Sequence, residues 1–291
     1  MQPVPPPMRH PSPPTFRLPA GAWDTHVHVY GPVSKFPFSP QRSYTPEDAT
    51  AEQLQDLHSL LGVERVVFVQ ATVHGHDNSA MLDAIARDPR RHRGIALLPT
   101  DVGQAELARL HAAGVRGVRF NFARHLGQAP DTDAVARLAD RLVPLGWHLQ
   151  FYMDGRDLAG YRPFLESLPV PFVIDHFGRV MVEDGPDAPA LQALLALVGQ
   201  EHGWVKISGP ERISAALSTG AVPYGDVVPV ARRLLQAAPH RVLWGSDWPH
   251  PNVREMPDDG KLVDLLAHYT TDAAVLRRLL VDNPTRLYGA P

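Results

Sequence analysis

The 291-residue chain contains no cysteine. Disulfides, thiolate nucleophiles and cysteine-ligated zinc are therefore excluded, since each needs a sulfur that is not there. No apolar run approaches the roughly 20 residues that a helix needs to span a bilayer. Positive charge is not in excess: the formal net charge is −3, whereas nucleic acid or an anionic membrane surface is held by clustered Lys and Arg. The first nineteen residues lack the apolar core of a secretory signal. These absences make a cytoplasmic protein the expectation, with a small molecule rather than nucleic acid or membrane as its partner.

What is present is ordinary for a globular chain, 44% hydrophobic and 20% charged. Met1 to Pro19 carries eight prolines, which fix φ and remove backbone donors, so residues 1–20 are expected to form a disordered or extended arm. From residue 21 to 291, short β-branched runs alternate with longer helical patterns. The strands are expected at Ala22–Val29, Glu64–Gln70, Arg93–Leu98, Val115–Phe120, Trp147–Tyr152, Pro171–Asp175, Trp204–Ser208 and Arg241–Gly245. Between them lie apolar residues at i, i+3, i+4 spacing, as in Val135-Leu138-Leu142 and Val230-Leu234-Leu235. Eight repeats, with no glycine-rich phosphate loop after the first strand, predict an α/β fold made of one (β/α)₈ barrel, a TIM barrel. Gly31 to Tyr44 follows the first strand and should lie over the barrel mouth, while Leu276 to Tyr288 should finish the exterior.

In such a barrel the chemistry collects at the C-terminal strand ends. Side chains alternate along a strand, so His26 and His28 share a face at the end of the first strand. Closure brings the eighth strand, and Asp247 beyond it, beside them. His176 follows the sixth strand on the opposite wall. Other histidines, among them His10, His58, His92, His111, His240 and His268, stand in contexts that suggest solvated side chains. Arginines also cluster at strand ends: Arg119, Arg124, Arg179 and Arg212. Guanidinium pairs with carboxylate through two parallel hydrogen bonds, which suits a substrate carrying several carboxylates. Tyr44, Tyr152 and Asn252 are further candidate donors to it. Asp247 is the candidate general base, and Asp24 is available to orient an imidazole.

Four stretches, Trp23–Pro32, Gly117–Phe122, Asp175–Arg179 and Gly245–Asn252, make the chain from Trp23 to Tyr288 resemble the amidohydrolase superfamily, of the amidohydrolase-2 type. Within it, the resemblance is to the branch that hydrolyses 2-pyrone-4,6-dicarboxylate. This implies a hydrolase opening a carboxylated lactone, 2-pyrone-4,6-dicarboxylate or a sugar-acid lactone. It implies no required cofactor, with His26, His28 and His176 polarising the ester carbonyl while Asp247 takes the proton of water. A further basic position of the family falls on Arg124 or on its neighbour His125. The same three histidines and Asp247 are also good ligands for a single zinc ion. A two-metal site is not expected, because no Lys or Glu ends the fifth strand. The competing readings are a mononuclear-metal-dependent decarboxylase or a lactone isomerase of the same superfamily, and a non-catalytic binding barrel. The intact set of four argues against the last.

Overall fold

Val and Ile crowd the eight expected strands, and eight parallel strands form. The computed structural model describes residues 4–124, 129–216 and 222–289. The strands are β1 (Trp23–Val27), β2 (Arg65–Val69), β3 (His92–Ala96), β4 (Val115–Asn121), β5 (His148–Tyr152), β6 (Phe172–Ile174), β7 (Gly203–Ser208) and β8 (Val242–Gly245). They follow one another in a single sheet in chain order, each paired in parallel with the next. β1 and β8 then meet. The Thr25 hydroxyl donates to the Trp244 carbonyl (2.7 Å), Ser246 N–H to Asp24 Oδ1 (3.0 Å), and Asp247 N–H to the His26 carbonyl (2.9 Å). That seam places Asp247 beside His26. Gly245 is part of it, because a Cβ there would lie 2.7 Å from both Cβ and N of His26.

Helices α1 (Ala51–Leu61), α2 (Ser79–Ala86), α3 (Gln104–Ala112), α4 (Thr132–Leu142), α5 (Leu158–Glu166), α6 (Pro189–Val198) and α7 (Val228–Ala237) cover the strands, followed by the short α8 (Asp259–Asp264). The apolar spacing sets their buried faces: α4 buries Val135, Leu138, Ala139 and Leu142, and α7 buries Val230, Ala231, Leu234 and Leu235. At α1, Thr50 and Gln53 cap each other's backbone and Gly62 closes the C-terminus with φ of 81°. Among the described residues, no helix is long and apolar enough to cross a membrane.

Two expectations change. The arm is extended, as its prolines require, but it is not loose: Ser12 N–H donates to Asp258 (3.0 Å), and the backbone of Thr15 and Phe16 to Asp264 (2.6 and 2.8 Å). Two carboxylates of the α8 region supply the acceptors that the arm's few remaining donors need. The C-terminal segment does not end on the exterior. Tyr288, in a last short helix at Asn283–Tyr288, is fully buried, its ring 6.0 Å from Trp23 and 5.3 Å from His148. It joins Trp23, Val67, Ile95, Val173 and Leu243 in one apolar cluster, which fills the barrel end opposite the mouth.

Candidate active site

The strand ends deliver four groups to one point. Asp247 Oδ1 lies 3.7, 3.5 and 3.8 Å from Nε2 of His26, His28 and His176. All four side chains are buried. Two backbone features aim them. Asp247 adopts φ of +71°, and His176, Phe177 and Arg179 adopt +50°, +54° and +50°. Left-handed backbone at non-glycine residues costs roughly 1–2 kcal/mol each and persists only where the surroundings enforce it.

The far nitrogen of each imidazole is occupied. His28 Nδ1 lies 2.8 Å from the Val69 carbonyl, which only accepts, so this nitrogen carries the proton. His26 Nδ1 lies between Asp175 Oδ1 at 3.3 Å, an acceptor, and Lys206 Nζ at 3.5 Å, a donor, so its neighbours accommodate either tautomer. His176 Nδ1 lies 2.9 Å from the Ser208 hydroxyl, which can give or take. His28 therefore turns a bare Nε2 lone pair towards the cavity. Burial holds His26 down at about 3, against Asp175, and holds His176 well below its ordinary value.

Asp247 is held ionised. Burial alone would raise its pKa, but Arg212, with Nε 2.7 Å and Nη2 2.5 Å from Oδ2, holds it well below the usual carboxylate range. Oδ2 is thus committed to Arg212, while Oδ1 has no hydrogen bond and faces the imidazoles.

Above this cluster opens a cavity of about 430 Å³, lined by His28, His176, Asp247, Tyr44, Thr72, Arg119, Tyr152, Arg179, Arg212 and Asn252, with Ser43 and Arg254 at its edge. Six of the expected binding residues are here. The Gly31–Tyr44 segment lies over the mouth as expected and contributes Tyr44, which burial keeps protonated. Arg119 donates from Nε to Asp175 (2.9 Å), and Arg179 from Nη1 to the Tyr152 hydroxyl (2.7 Å). Arg124 is not here. Its guanidinium, 70% exposed, grips Asp157 outside the mouth at 2.5 and 3.0 Å, because the turn before α5 offers it a carboxylate there. His125 lies outside the described residues.

Other groups were not expected. Asp24 orients no catalytic ring. It accepts from the backbone of His26 and Ser246, and its other oxygen faces His58, which is buried rather than solvated. The orienting carboxylate is Asp175. Beneath His26, Lys206 is fully buried and donates to the Thr25 carbonyl (2.7 Å) and Gln150 Oε1 (2.8 Å), while Gln150 donates to Asp175 (3.1 Å). Burial brings Lys206 down to about 7, against the pull of Asp175. The alternation Trp204-Lys206-Ser208 on one strand face was the available signal for it.

His26, His28 and Asp247 have ligand atoms within 4.8 Å of one another. The bare Nε2 lone pair of His28, the Nε2 of His26, which has no hydrogen-bond partner, and an unbonded carboxylate oxygen are a donor set that fits one divalent ion.

Comparison with known proteins identifies the family. The amidohydrolase family model matches residues 23–290. Over 285 residues the chain is 47% identical to 2-pyrone-4,6-dicarboxylate hydrolase of Comamonas testosteroni, covering 96% of this chain and 93% of that protein. It is 42% identical over 282 residues to 4-sulfomuconolactone hydrolase of Rhizobium radiobacter, with the same coverage. A protein of Acinetobacter baumannii solved with citric acid bound superposes with a TM-score of 0.81 at 27% identity, covering 92% of this chain and 99% of that one. The chain belongs to the amidohydrolase family of hydrolases.

Proposed function

We propose that the protein hydrolyses a small lactone carrying more than one anionic group, of the 2-pyrone-4,6-dicarboxylate or muconolactone type. One observation carries this reading: an ionised carboxylate faces three imidazoles at the floor of a cavity walled by arginines. The named activities of the two relatives, both lactone hydrolases, and the citrate in the Acinetobacter protein support it.

The chemistry follows from donors and acceptors. A water molecule attacking the ester carbonyl has two protons to place. Asp247 Oδ1 takes one as general base, and the bare Nε2 of His28 accepts a hydrogen bond from the other. The carbonyl oxygen needs donors, and those are His176 Nε2–H, with Ser208 donating to Nδ1, and the guanidinium groups. Arg119 and Arg179 keep the substrate's anionic groups oriented through charge-assisted hydrogen bonds. The tetrahedral adduct collapses as the ring C–O bond breaks, and Asp247 passes its proton to the departing ring oxygen; in the ring-closing direction the same transfers run in reverse.

The same donor set favours a second reading of the site. His26, His28, His176 and Asp247 would hold a single zinc ion, which when bound supplies Lewis acidity to the carbonyl. Asp247→Asn should lower kcat/KM on 2-pyrone-4,6-dicarboxylate by about 100-fold or more with circular dichroism unchanged; near-normal turnover would refute the base assignment. Exhaustive chelation with metal analysis separates the two readings. Full activity of metal-free protein supports the first, and loss restored by zinc the second. Inertness of the wild-type protein towards dicarboxylated, sulfonated and sugar-acid lactones alike would sink the function itself.

A further inference from the structure

Beside the cluster lies a second set of charges that the proposed chemistry leaves unused. Glu211 stands in the short turn Pro210–Arg212 after β7. Its side chain is 6% exposed, and neither carboxylate oxygen has a hydrogen bond. Ligand atoms of Glu211, Asp247 and His250 all fall within 4.8 Å of one another. Two carboxylates that close in a dry site repel, and each is stabilised by any cation within reach. One such cation lies between them. Arg212 grips Asp247 Oδ2, with Nη2 at 2.5 Å, while its Nε is already 3.8 Å from Glu211 Oε1. The guanidinium is further held by the Pro251 carbonyl, to which Nη2 donates (2.9 Å), so Glu211 competes for it against both partners.

His250 stands on the other side of Glu211. Its fully buried ring has Nδ1 3.9 Å from Glu211 Oε1 and Nε2 3.0 Å from Asp259 Oδ1 at the start of α8. Nε2 hydrogen-bonds Asp259, and Nδ1 faces Glu211 at charge-contact distance, so a carboxylate on each side of the ring favours the imidazolium. The two carboxylates outweigh the opposing effect of burial and raise it to about 10. The backbone adds a direct link. His250 N–H donates to the Asp247 carbonyl (2.8 Å), and both residues sit in left-handed backbone, with φ of +58° and +71°.

We propose that His250 is a positioning residue: by neutralising Glu211 it keeps Arg212 on Asp247, and so sets the aim of the base. Glu211 is a competitor for the arginine, and the His250–Asp259 pair decides the competition. The inference rests on the reading of Asp247 given above.

The test compares His250→Gln with the double variant His250→Gln/Glu211→Gln. In the single variant, Glu211 keeps its charge and draws Arg212 away. We expect kcat on 2-pyrone-4,6-dicarboxylate to fall about 30-fold or more with KM changed by less than about threefold. Glu211 itself lines the cavity, so the reference is Glu211→Gln alone: in the double variant the competitor is gone, and kcat should match that of Glu211→Gln within about threefold. Asp259 loses its partner in both, so their difference isolates Glu211. An unaffected single variant, or a double variant as slow as the single, overturns the proposal. Should the single variant not fold, a folded double variant with the turnover of Glu211→Gln supports the proposal, one without turnover overturns it, and Asp259→Asn, which weakens the imidazolium without removing the ring, replaces the single variant with the same expected loss of kcat. If the wild-type protein opens no lactone, the proposed function fails separately. Crystal structures of the two variants then read the inference directly, with Arg212 on Glu211 in the single variant and on Asp247 in the double. Arg212 on Asp247 in both would overturn it.

Discussion

Each guanidinium in the mouth divides its hydrogen-bonding capacity between the protein and the cavity. Arg119 spends Nε on Asp175 and Arg212 spends Nε and Nη2 on Asp247. Removing either strips a buried carboxylate of its partner as well as a substrate contact. Arg179 is the milder probe: its guanidinium is more exposed than those of Arg119 and Arg212, and it is shared between the Tyr152 hydroxyl and Asp154, 3.5 Å from Nε. A charge-assisted hydrogen bond contributes about 1.5–3 kcal/mol, so Arg179→Met should raise KM for a dianionic lactone roughly 10- to 100-fold with kcat less affected. Arg124→Met should leave KM within about twofold, since that side chain is solvated and paired outside the mouth. Steady-state kinetics on the two variants checks both, and equal effects would discredit the division between them.

The seam between β1 and β8 is the element on which the cluster depends. Gly245→Ala would put a Cβ 2.7 Å from the backbone and Cβ of His26, and neither of those can swing aside. The strands must part, at a cost of about 1–3 kcal/mol by analogy with overpacked cores. His26 and Asp247 would part with them. We expect a lowered melting temperature together with a loss of kcat. Gly160→Ala in α5, where a Cβ meets nothing, should be neutral or stabilising by about 0.5–1 kcal/mol. A Gly245→Ala protein as stable and active as wild type would show that the seam has slack. How far this seam was readable from sequence follows from period and count. Eight alternations made the first and eighth strands neighbours, and period two placed His26 and His28 on one face. The alternation did not reveal that β1 shifts register against β2 between Asp24 and Val27, so Asp24 was given a role that belongs to Asp175. Nor could local pattern show that Arg124 turns to Asp157 or that the arm meets Asp258 and Asp264, for those partners lie 33 to about 250 residues away in the chain.

Over the whole molecule, the interior stores its titratable groups in strained protonation states, and that sets how stability responds to pH. His26 and His148 are neutral in the fold, held at about 3 chiefly by burial, against an ordinary value of 6.5. The unfolded chain binds protons at these two sites below pH 6.5 and the folded one does not. Their contribution is complete above pH 6.5 and declines as pH falls towards about 3, by about 1.4 kcal/mol per pH unit for each. His176 has the same sign. Two units of acidification would remove about 5 kcal/mol, comparable with the whole stability of many domains. On the alkaline side two groups oppose each other. His250, raised to about 10, stabilises the fold fully below pH 6.5 and loses that contribution as pH climbs to 10. Lys206, lowered to about 7 from 10.5, gives a contribution that grows over nearly the same interval. Their slopes cancel. The melting temperature should therefore drop steeply between pH 6.5 and 4.5 yet stay level between pH 7 and 9.5, and scanning calorimetry across that range reads both limbs. His148→Gln should flatten the acid limb by about a third to a half, because it removes one of the two or three imidazoles that produce it. An acid limb no steeper than the alkaline plateau would mean that the imidazoles beneath the mouth are charged in the folded protein.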